Sequence, residues 1–377
     1  MKILYYYSQL NVGGAERSTV RLLNALAQKG HDVTLFLRWN GGSLENELSD
    51  KVKRIYLKKS KNGGRINKVN QLLETAKSYF RAKKLKREEY DVVISGLFGY
   101  NPQILFDKIR GKQYYQLLRN DVEKTGAYGD TAFYMQKYGE RFDAYIGVSN
   151  YTTESFCRCY PQYRDRALTI YNILPTVPED VGEIPPSMQA EEGKLRFVTV
   201  CRLADKAKGL FRMVRVCQAL YEEFGDTFKW YIVGNGPDKT ELERRIDEAK
   251  LANVMLLCGE TKNPFPYYKG ADLVAVLSYY EGLCGVVNEA KMMEKPLIAT
   301  RFSGIDEQII HGVNGYIVDN EEDAIIQKMR EILSNTNVLE KMKTNGMPEA
   351  LLNNDKKIAQ YEDLYQRVNE KGTGCGK

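Results

Sequence analysis

Glu281 and Glu289 stand eight positions apart, with Gly282 directly after the first and Gly285 between them. The stretch before them, Ala271–Leu277, is a short apolar run that reads as a buried parallel strand. The stretch Val286–Met293 has the composition of a helix. The spacing therefore predicts Glu281 at a strand's carboxyl end and Glu289 about two turns into the next helix, on the same general face. The two glycines permit a tight turn, so that the amides opening the helix can point at an anion. One acid near a phosphate and one further along would suit a sugar joined to a nucleoside through a diphosphate. The same pair also fits a solvated helix that carries surface acids.

Three other stretches have types suited to anions. Gly13 and Gly14 follow the first apolar run and open the first helical pattern, where backbone can approach a ligand closely. Cys201–Gly209 presents Arg202, Lys206 and Lys208 in one loop after a strand. Arginine offers a fork and lysine a point charge, a pairing that suits a diphosphate. Gly234, in Val233–Pro237, is a further glycine turn after a strand. Each of these is also what a tight strand-to-helix turn needs for purely structural reasons.

The elements that must position these residues alternate. Lys2–Tyr7 reads as a strand, Gly13–Lys29 as a helix with Val20, Leu22, Leu23, Leu26 and Ala27 on one face, and His31–Leu37 as the next strand. Further strand-like runs are Val52–Leu57, Asp91–Ser95, Gln113–Leu118 and Ala144–Val148. The stretch 172–187 holds four of the 11 prolines and reads as a linker. The pattern then restarts: Leu195–Cys201, Phe228–Val233, Val254–Leu257, Leu273–Leu277, Pro296–Ala299 and Gly315–Val318 as strands, with helices at Gly209–Phe224 and Lys239–Leu251. The expected fold is α/β, two Rossmann-like doubly wound domains facing a central cleft, since the carboxyl ends of such sheets are where ligands bind. The boundaries expected are 1–175, a linker 176–188, and 189–355. Asp355–Asn369 reads as helix, and its sequence does not say where it packs; for the final segment, 356–377, a return to the first domain is one placement.

A chain of 377 residues with 43% hydrophobic and 11% aromatic residues is expected to fold as two domains rather than remain disordered. No apolar run approaches the ~20 residues that span a bilayer, and Met1–Tyr7 runs into a strand without a cleavage site. The seven cysteines, 157, 159, 201, 217, 258, 284 and 375, include no Cys-x-x-Cys pair. With only His31 and His311 beside them, no metal site is expected, and the compartment expected is a reducing cytoplasm. The net charge of +6 is uneven: residues 51–87 hold 14 Lys/Arg against the single acid Glu74. Within them Val69, Leu72, Leu73, Ala76, Tyr79 and Phe80 fall at helical spacing, amid Lys68, Lys77, Arg81, Lys83, Lys84, Lys86 and Arg87. A basic amphipathic helix of this kind suits an anionic membrane surface or a polyanion, and equally a surface helix packed on the core.

Taken together these pieces resemble the GT-B family 4 of retaining glycosyltransferases over nearly the whole chain. The residues that carry the resemblance are Gly13–Glu16, Val148-Ser149, Ile170–Asn172, Arg202-Leu203 with Lys208-Gly209, Gly234–Pro237, Gly304 with Glu307, Gly312–Tyr316, and the E-x7-E signature met by Glu281 and Glu289. The resemblance implies that Arg202 and Lys208 neutralise the donor diphosphate and that amides of Leu283, Cys284 and Gly285, beside Gly282, hold its distal phosphate. Glu289 would take the ribose hydroxyls, Glu281 would take hydroxyls of the transferred sugar, and the Gly13-Gly14 loop would close over the reacting centre. It implies front-face transfer with retention, in which the leaving phosphate accepts the acceptor's proton, and no cofactor or metal beyond the nucleotide-sugar donor, for which a UDP-sugar is the commonest choice. Its acceptor would be a glycan or lipid-linked sugar of a surface polysaccharide such as a capsule or lipopolysaccharide, with no nucleic acid as partner. The chain would lie at the inner face of the cell membrane, touching anionic lipid through residues 51–87.

Two departures mark this chain. Many members place a histidine facing the sugar after the strand read here as Gln113–Leu118, where this chain has Arg119-Asn120-Asp121; the sugar pocket would then use Arg119 or Asn120. In the basic loop Lys206 and Lys208 compete for one role, and the glycine that follows favours Lys208. A dinucleotide-dependent oxidoreductase should show G-x-G-x-x-G and an acid ending the second strand, yet that strand ends Phe36–Trp39. An epimerase or phosphorylase on the same plan, or a non-enzymatic polyanion- or membrane-binding protein, are the remaining alternatives.

Overall fold

The structure, a computed structural model, describes residues 1–11, 13–58, 85, 87–99, 102–124, 127–343 and 346–374. It divides into two compact units, Met1–Leu174 with Asn353–Lys377, and Pro175–Leu352. The first begins β1 (Lys2–Tyr7), α1 (Gly14–Gln28), β2 (Asp32–Trp39), β3 (Lys53–Lys58), β4 (Glu89–Ser95), α2 (Pro102–Lys108) and β5 (Arg110–Leu118). It continues with α3 (Ala127–Tyr138), β6 (Ala144–Gly147), α4 (Asn150–Cys159) and β7 (Ala167–Thr169). All seven strands are parallel in the order β3-β2-β1-β4-β5-β6-β7. Strands covered on both faces need apolar residues at every position, and β1 is buried from Ile3 to Tyr7. The α1 face foreseen from spacing, Val20, Leu22, Leu23, Leu26 and Ala27, is buried. The strand order reverses between β1 and β4, and such a reversal leaves a crevice at the strands' carboxyl ends. The short β7 is only half-buried along its length and holds one large apolar residue, Leu168, which is why the sequence does not announce it.

The second unit runs β8 (Leu195–Val200), α5 (Asp205–Lys208), α6 (Leu210–Phe224), β9 (Phe228–Val233), α7 (Lys239–Glu248), β10 (Met255–Gly259), α8 (Phe265–Gly270) and β11 (Leu273–Val276). It then adds α9 (Gly285–Met292), β12 (Leu297–Thr300), β13 (Tyr316–Val318), α10 (Glu322–Ser334), α11 (Asn337–Lys343) and α12 (Glu349–Leu352). Its six strands are also parallel, in the order β10-β9-β8-β11-β12-β13. Successive residues point to opposite faces, so Trp230 and Leu273 join one apolar layer while Tyr231 and Val274 join the other. Here the reversal lies between β8 and β11. The proline-rich segment packs on this unit: Met188 is fully buried, and Val177, Val181 and Ile184 cover the same layer. Asn263 Nδ2 and Lys269 Nζ donate to the carbonyls of Val181 and Gly182, each at 3.2 Å.

The last helix, α13 (Asn354–Gly374), belongs to the first unit. Ile358, Tyr361 and Leu364 enter the same apolar cluster as Leu23 and Leu26 of α1. Polar contacts fix its register: Gln113 Nε2 donates to Tyr365 O at 3.0 Å, Lys357 Nζ to Asn172 O at 3.0 Å, and His31 Nε2 meets Glu362 Oε1 at 2.8 Å. Residues 59–84 and 86, which hold nearly all of the basic amphipathic helix read from the sequence, lie outside the described residues. Among the described residues no helix is long and apolar enough to cross a membrane. Ile358 is 2% exposed. Its truncation in Ile358→Ala is expected to destabilise the first unit by about 2–5 kcal/mol. Urea unfolding followed unit by unit should show the loss in the first unit's transition, with the second unit's midpoint unchanged.

Candidate active site

Lys208 and Glu281, 73 positions apart in sequence, form a direct ion pair in the second unit. Topology brings them together. Lys208 lies in α5, just past the end of β8, and Glu281 lies just past β11, the strand that pairs with β8 at the reversal. The carboxylate is held from a second side by Ser278, whose hydroxyl donates to Glu281 Oε1 at 2.7 Å. The side chains keep only 23% and 15% of their exposure, so both charges are largely withdrawn from water. Burial alone would lower the Lys208 ammonium, but the adjacent Glu281 carboxylate outweighs it and holds the lysine above its usual range. A small cavity beside the pair is lined also by Thr199, Cys201, Ser278 and Cys284. Burial pushes the thiols of Cys201 and Cys284 up to about 12, so neither supplies a thiolate near neutral pH.

Glycines make this closeness possible. Gly209 has φ 66°, and a Cβ there would lie 2.6 Å from Leu277 O. Gly234 has φ 152°, and a Cβ would lie 1.8 Å from Cys201 O. The turn after β9 therefore packs against the loop after β8, and Leu203 N donates to Asn235 O at 2.9 Å. Gly234 has a packing reason to be glycine that requires no ligand.

The remaining residues foreseen in this unit fall into distinct places. Arg202 and Lys206 are exposed, and neither side chain makes a hydrogen bond or ion pair among the described residues. Lys208 alone of the three basic residues turns inward. Leu283 is half-buried before α9, and Gly285 opens that helix, where a Cβ would meet nothing. The amide of Cys284 is already engaged, donating to Gln308 Oε1 at 3.0 Å, while Gln308 Nε2 donates to Cys284 O at 2.8 Å and to Asn288 Oδ1 at 2.6 Å. Gly282 follows Glu281 in the turn between β11 and α9. Glu289 is 7% exposed on α9 and accepts from the Tyr268 hydroxyl at 3.1 Å, a contact not shared with Glu281.

In the first unit Gly13 caps α1 with extended backbone, and Gly14 opens the helix with no atom within 4 Å of where a Cβ would be. Arg119 follows β5, but its guanidinium turns back: Nε donates to Gly96 O at 3.1 Å, and Nη2 donates to the hydroxyls of Tyr5 at 2.7 Å and Thr19 at 3.0 Å. It thereby joins the ends of β1, β4 and β5 with α1. Asn120 beside it is exposed. Among the described residues no group of three or more His, Cys, Asp or Glu is placed to hold a metal ion.

Ser278, Gln308, Arg212, Thr300 and Asn320 were not foreseen. Ser278 has a sequence signal, a hydroxyl three residues before Glu281 at the close of an apolar strand. The others have none, because each contacts residues 20 or more positions away.

Residues 12–176 match the family model for Glycosyltransferase Family 4, and residues 180–347 match that for Glycosyl transferases group 1. A 2-deoxystreptamine N-acetyl-D-glucosaminyltransferase of Niallia circulans is 27% identical over 162 residues, covering 42% of this chain and 41% of that protein, so the match spans less than half of that relative. An alpha-1,4-N-acetyl-D-galactosaminyltransferase of Campylobacter jejuni, named for a diNAcBac-PP-undecaprenol glycan, is 24% identical over 351 residues and 92% of both chains. The crystal structure of Anabaena HepE in complex with UDP-glucose superposes with a TM-score of 0.73 at 17% identity, covering 99% of this chain and 100% of that one.

With thiols near 12, the thiolate fraction of Cys201 and Cys284 at pH 8 is on the order of one in 10⁴. Iodoacetamide at pH 8 is therefore expected to leave both unmodified in the folded protein and to alkylate both in urea, read by peptide mass spectrometry. Rapid labelling of Cys284 without urea would contradict the burial described.

Proposed function

The chain belongs to the family 4, group 1 glycosyltransferases, and from that premise we propose that it moves a hexose or N-acetylhexosamine from a UDP-sugar to a glycan or lipid-linked acceptor, with retention of configuration. The observation that carries the reading is the Lys208–Glu281 pair at the second sheet's reversal, with the unpartnered cation of Arg202 in the same strand-end loop. Departure of a nucleoside diphosphate concentrates negative charge on its distal phosphate. Positioned cations in a poorly solvated site stabilise that charge where it develops. Lys208 is held protonated for this role, and Arg202 stands exposed with its fork uncommitted. In this reading the two cations do the work that a divalent metal does in other transferases.

Glu281 then serves the sugar rather than the bond being broken. Its carboxylate is oriented by Ser278 and Lys208, a geometry suited to accepting from sugar hydroxyls. Glu289, oriented by Tyr268, takes the ribose hydroxyls. The attacking hydroxyl gives its proton to the departing phosphate on the same face of the sugar, which leaves the configuration unchanged. In this reading the first unit receives the acceptor; Asn120 is exposed after β5, whereas the Arg119 guanidinium is bonded within its own unit. The undecaprenol-linked substrate in the name of the Campylobacter relative supports a lipid-linked acceptor. We propose further, on its charge, that the basic segment 51–87 meets anionic lipid at the membrane's inner face.

Glu281→Gln and Lys208→Ala are each expected to lower turnover by about 10²–10³-fold while circular dichroism stays native. Turnover is read as acceptor-dependent UDP release across a panel of UDP-sugars. NMR of the glycosidic product should show the donor's anomeric configuration. Inverted product, or near-normal transfer by either variant, would remove the corresponding part of the mechanism. For the membrane reading, neutralising the Lys and Arg residues of 77–87 should abolish co-sedimentation with anionic liposomes at low salt; unchanged binding would refute it.

A further inference from the structure

Arg212 is a guanidinium enclosed in the second unit at 1% exposure, and among the described residues no carboxylate lies within ion-pair distance of it; Asp205 and Glu322 act on it only from further away. The acid at the start of α10, Glu322, is bonded to Arg215, whose Nε lies 2.9 Å from its Oε2. The partners of Arg212 are neutral. Nε donates to Leu277 O at 3.0 Å, Nη2 donates to the same oxygen, and Nη1 donates to Asn320 Oδ1 at 2.5 Å. The ring of Tyr279 lies 4.1 Å from the guanidinium carbon. Burying a charge against neutral acceptors is unfavourable, so stability alone would favour a methionine or leucine here.

What the guanidinium holds is the segment that carries Glu281. Past the end of β11 the sheet no longer fixes the backbone, and four backbone groups there find other partners. Leu277 O accepts from Arg212, while Ser278 O accepts from Thr300 Oγ1 at 2.6 Å. Tyr279 O accepts from Asn320 Nδ2 at 3.1 Å, and Tyr279 N donates to Ala207 O of α5, next to Lys208, at 2.8 Å. Asn320 thus bonds both Arg212 and the backbone it clamps. Gly209 leaves room for the arrangement, since a Cβ there would fall 2.6 Å from both Arg212 Nε and Leu277 O.

We propose that Arg212, braced by Asn320, is a positioning residue that sets the backbone of Leu277–Tyr279 so that Glu281 meets both Lys208 and the transferred sugar. The inference rests on the transferase reading above and adds to it a residue that touches no substrate. Losing the clamp displaces the sugar-orienting carboxylate, whereas Arg202 and Lys208 are carried by the segment between β8 and α6, whose backbone the Arg212 guanidinium does not bond. Turnover and nucleotide affinity should therefore separate.

The test compares wild type with Arg212→Met, Arg212→Lys and Asn320→Ala. It measures kcat and KM with whichever UDP-sugar the wild type turns over, and the Kd of UDP alone by calorimetry. Arg212→Met and Asn320→Ala are expected to lose at least tenfold in kcat while the Kd of UDP changes by less than threefold. Arg212→Lys, which keeps one donor, should recover part of the loss. If Arg212→Met does not fold, Asn320→Ala decides by the same split. Unchanged kcat in an active background, or loss of kcat and UDP affinity in equal proportion, would overturn the proposal. A wild type that releases no UDP from any donor overturns the transferase reading itself, and this inference with it.

Discussion

A charged pair 73 positions apart in sequence needs a device to bring it together, and in this chain the device is strand order. Because β8 and β11 are neighbours, the loop leaving each emerges beside the other, and Lys208 reaches Glu281 across one strand spacing. Such a pair contributes little to stability, since withdrawing two charges from water offsets most of their attraction. What it specifies is position. The surrounding features follow from that demand: glycine where Leu277 and Cys201 press close, a serine donating to the same carboxylate oxygen that the lysine bonds, and neutral acceptors tied off around the strand end.

The first unit meets the same topological situation with different chemistry. Its reversal lies between β1 and β4, and the group that joins the strand ends is Arg119, bonded to two hydroxyls and a carbonyl. Where the second unit sets a cation against an anion, the first surrounds a cation with neutral oxygens. The chain therefore keeps positive charge at the strand ends of both sheets.

Much of this was legible beforehand, for reasons that differ by residue. Parallel strands buried on both faces leave continuous apolar runs, so β1, β9 and β11 could be read to within a residue or so. Glycine beside a basic or acidic residue at a strand end marked Lys208 and Glu281, because backbone conformation and charge are both local. Pairings across the sheet leave no such mark. Arg212 sits in α6 among Leu210, Met213, Val214 and Val216, where its sequence neighbours suggest an outward basic residue; only closure of the fold turns it onto Leu277. Gly234 illustrates the converse. Its motif pointed to a ligand, while its immediate neighbour is the backbone of Cys201.

The return of α13 to the first unit has a bearing on synthesis. The first unit's core lacks Ile358, Tyr361 and Leu364 until all of residues 175–352 have been made. At about 5–20 residues per second, that interval is on the order of ten to thirty-five seconds. The second unit, continuous in sequence, is complete while the first still has an uncovered apolar face over α1. The order of completion on the ribosome is thus the reverse of the order of emergence, and the first-made half waits longest for its last helix.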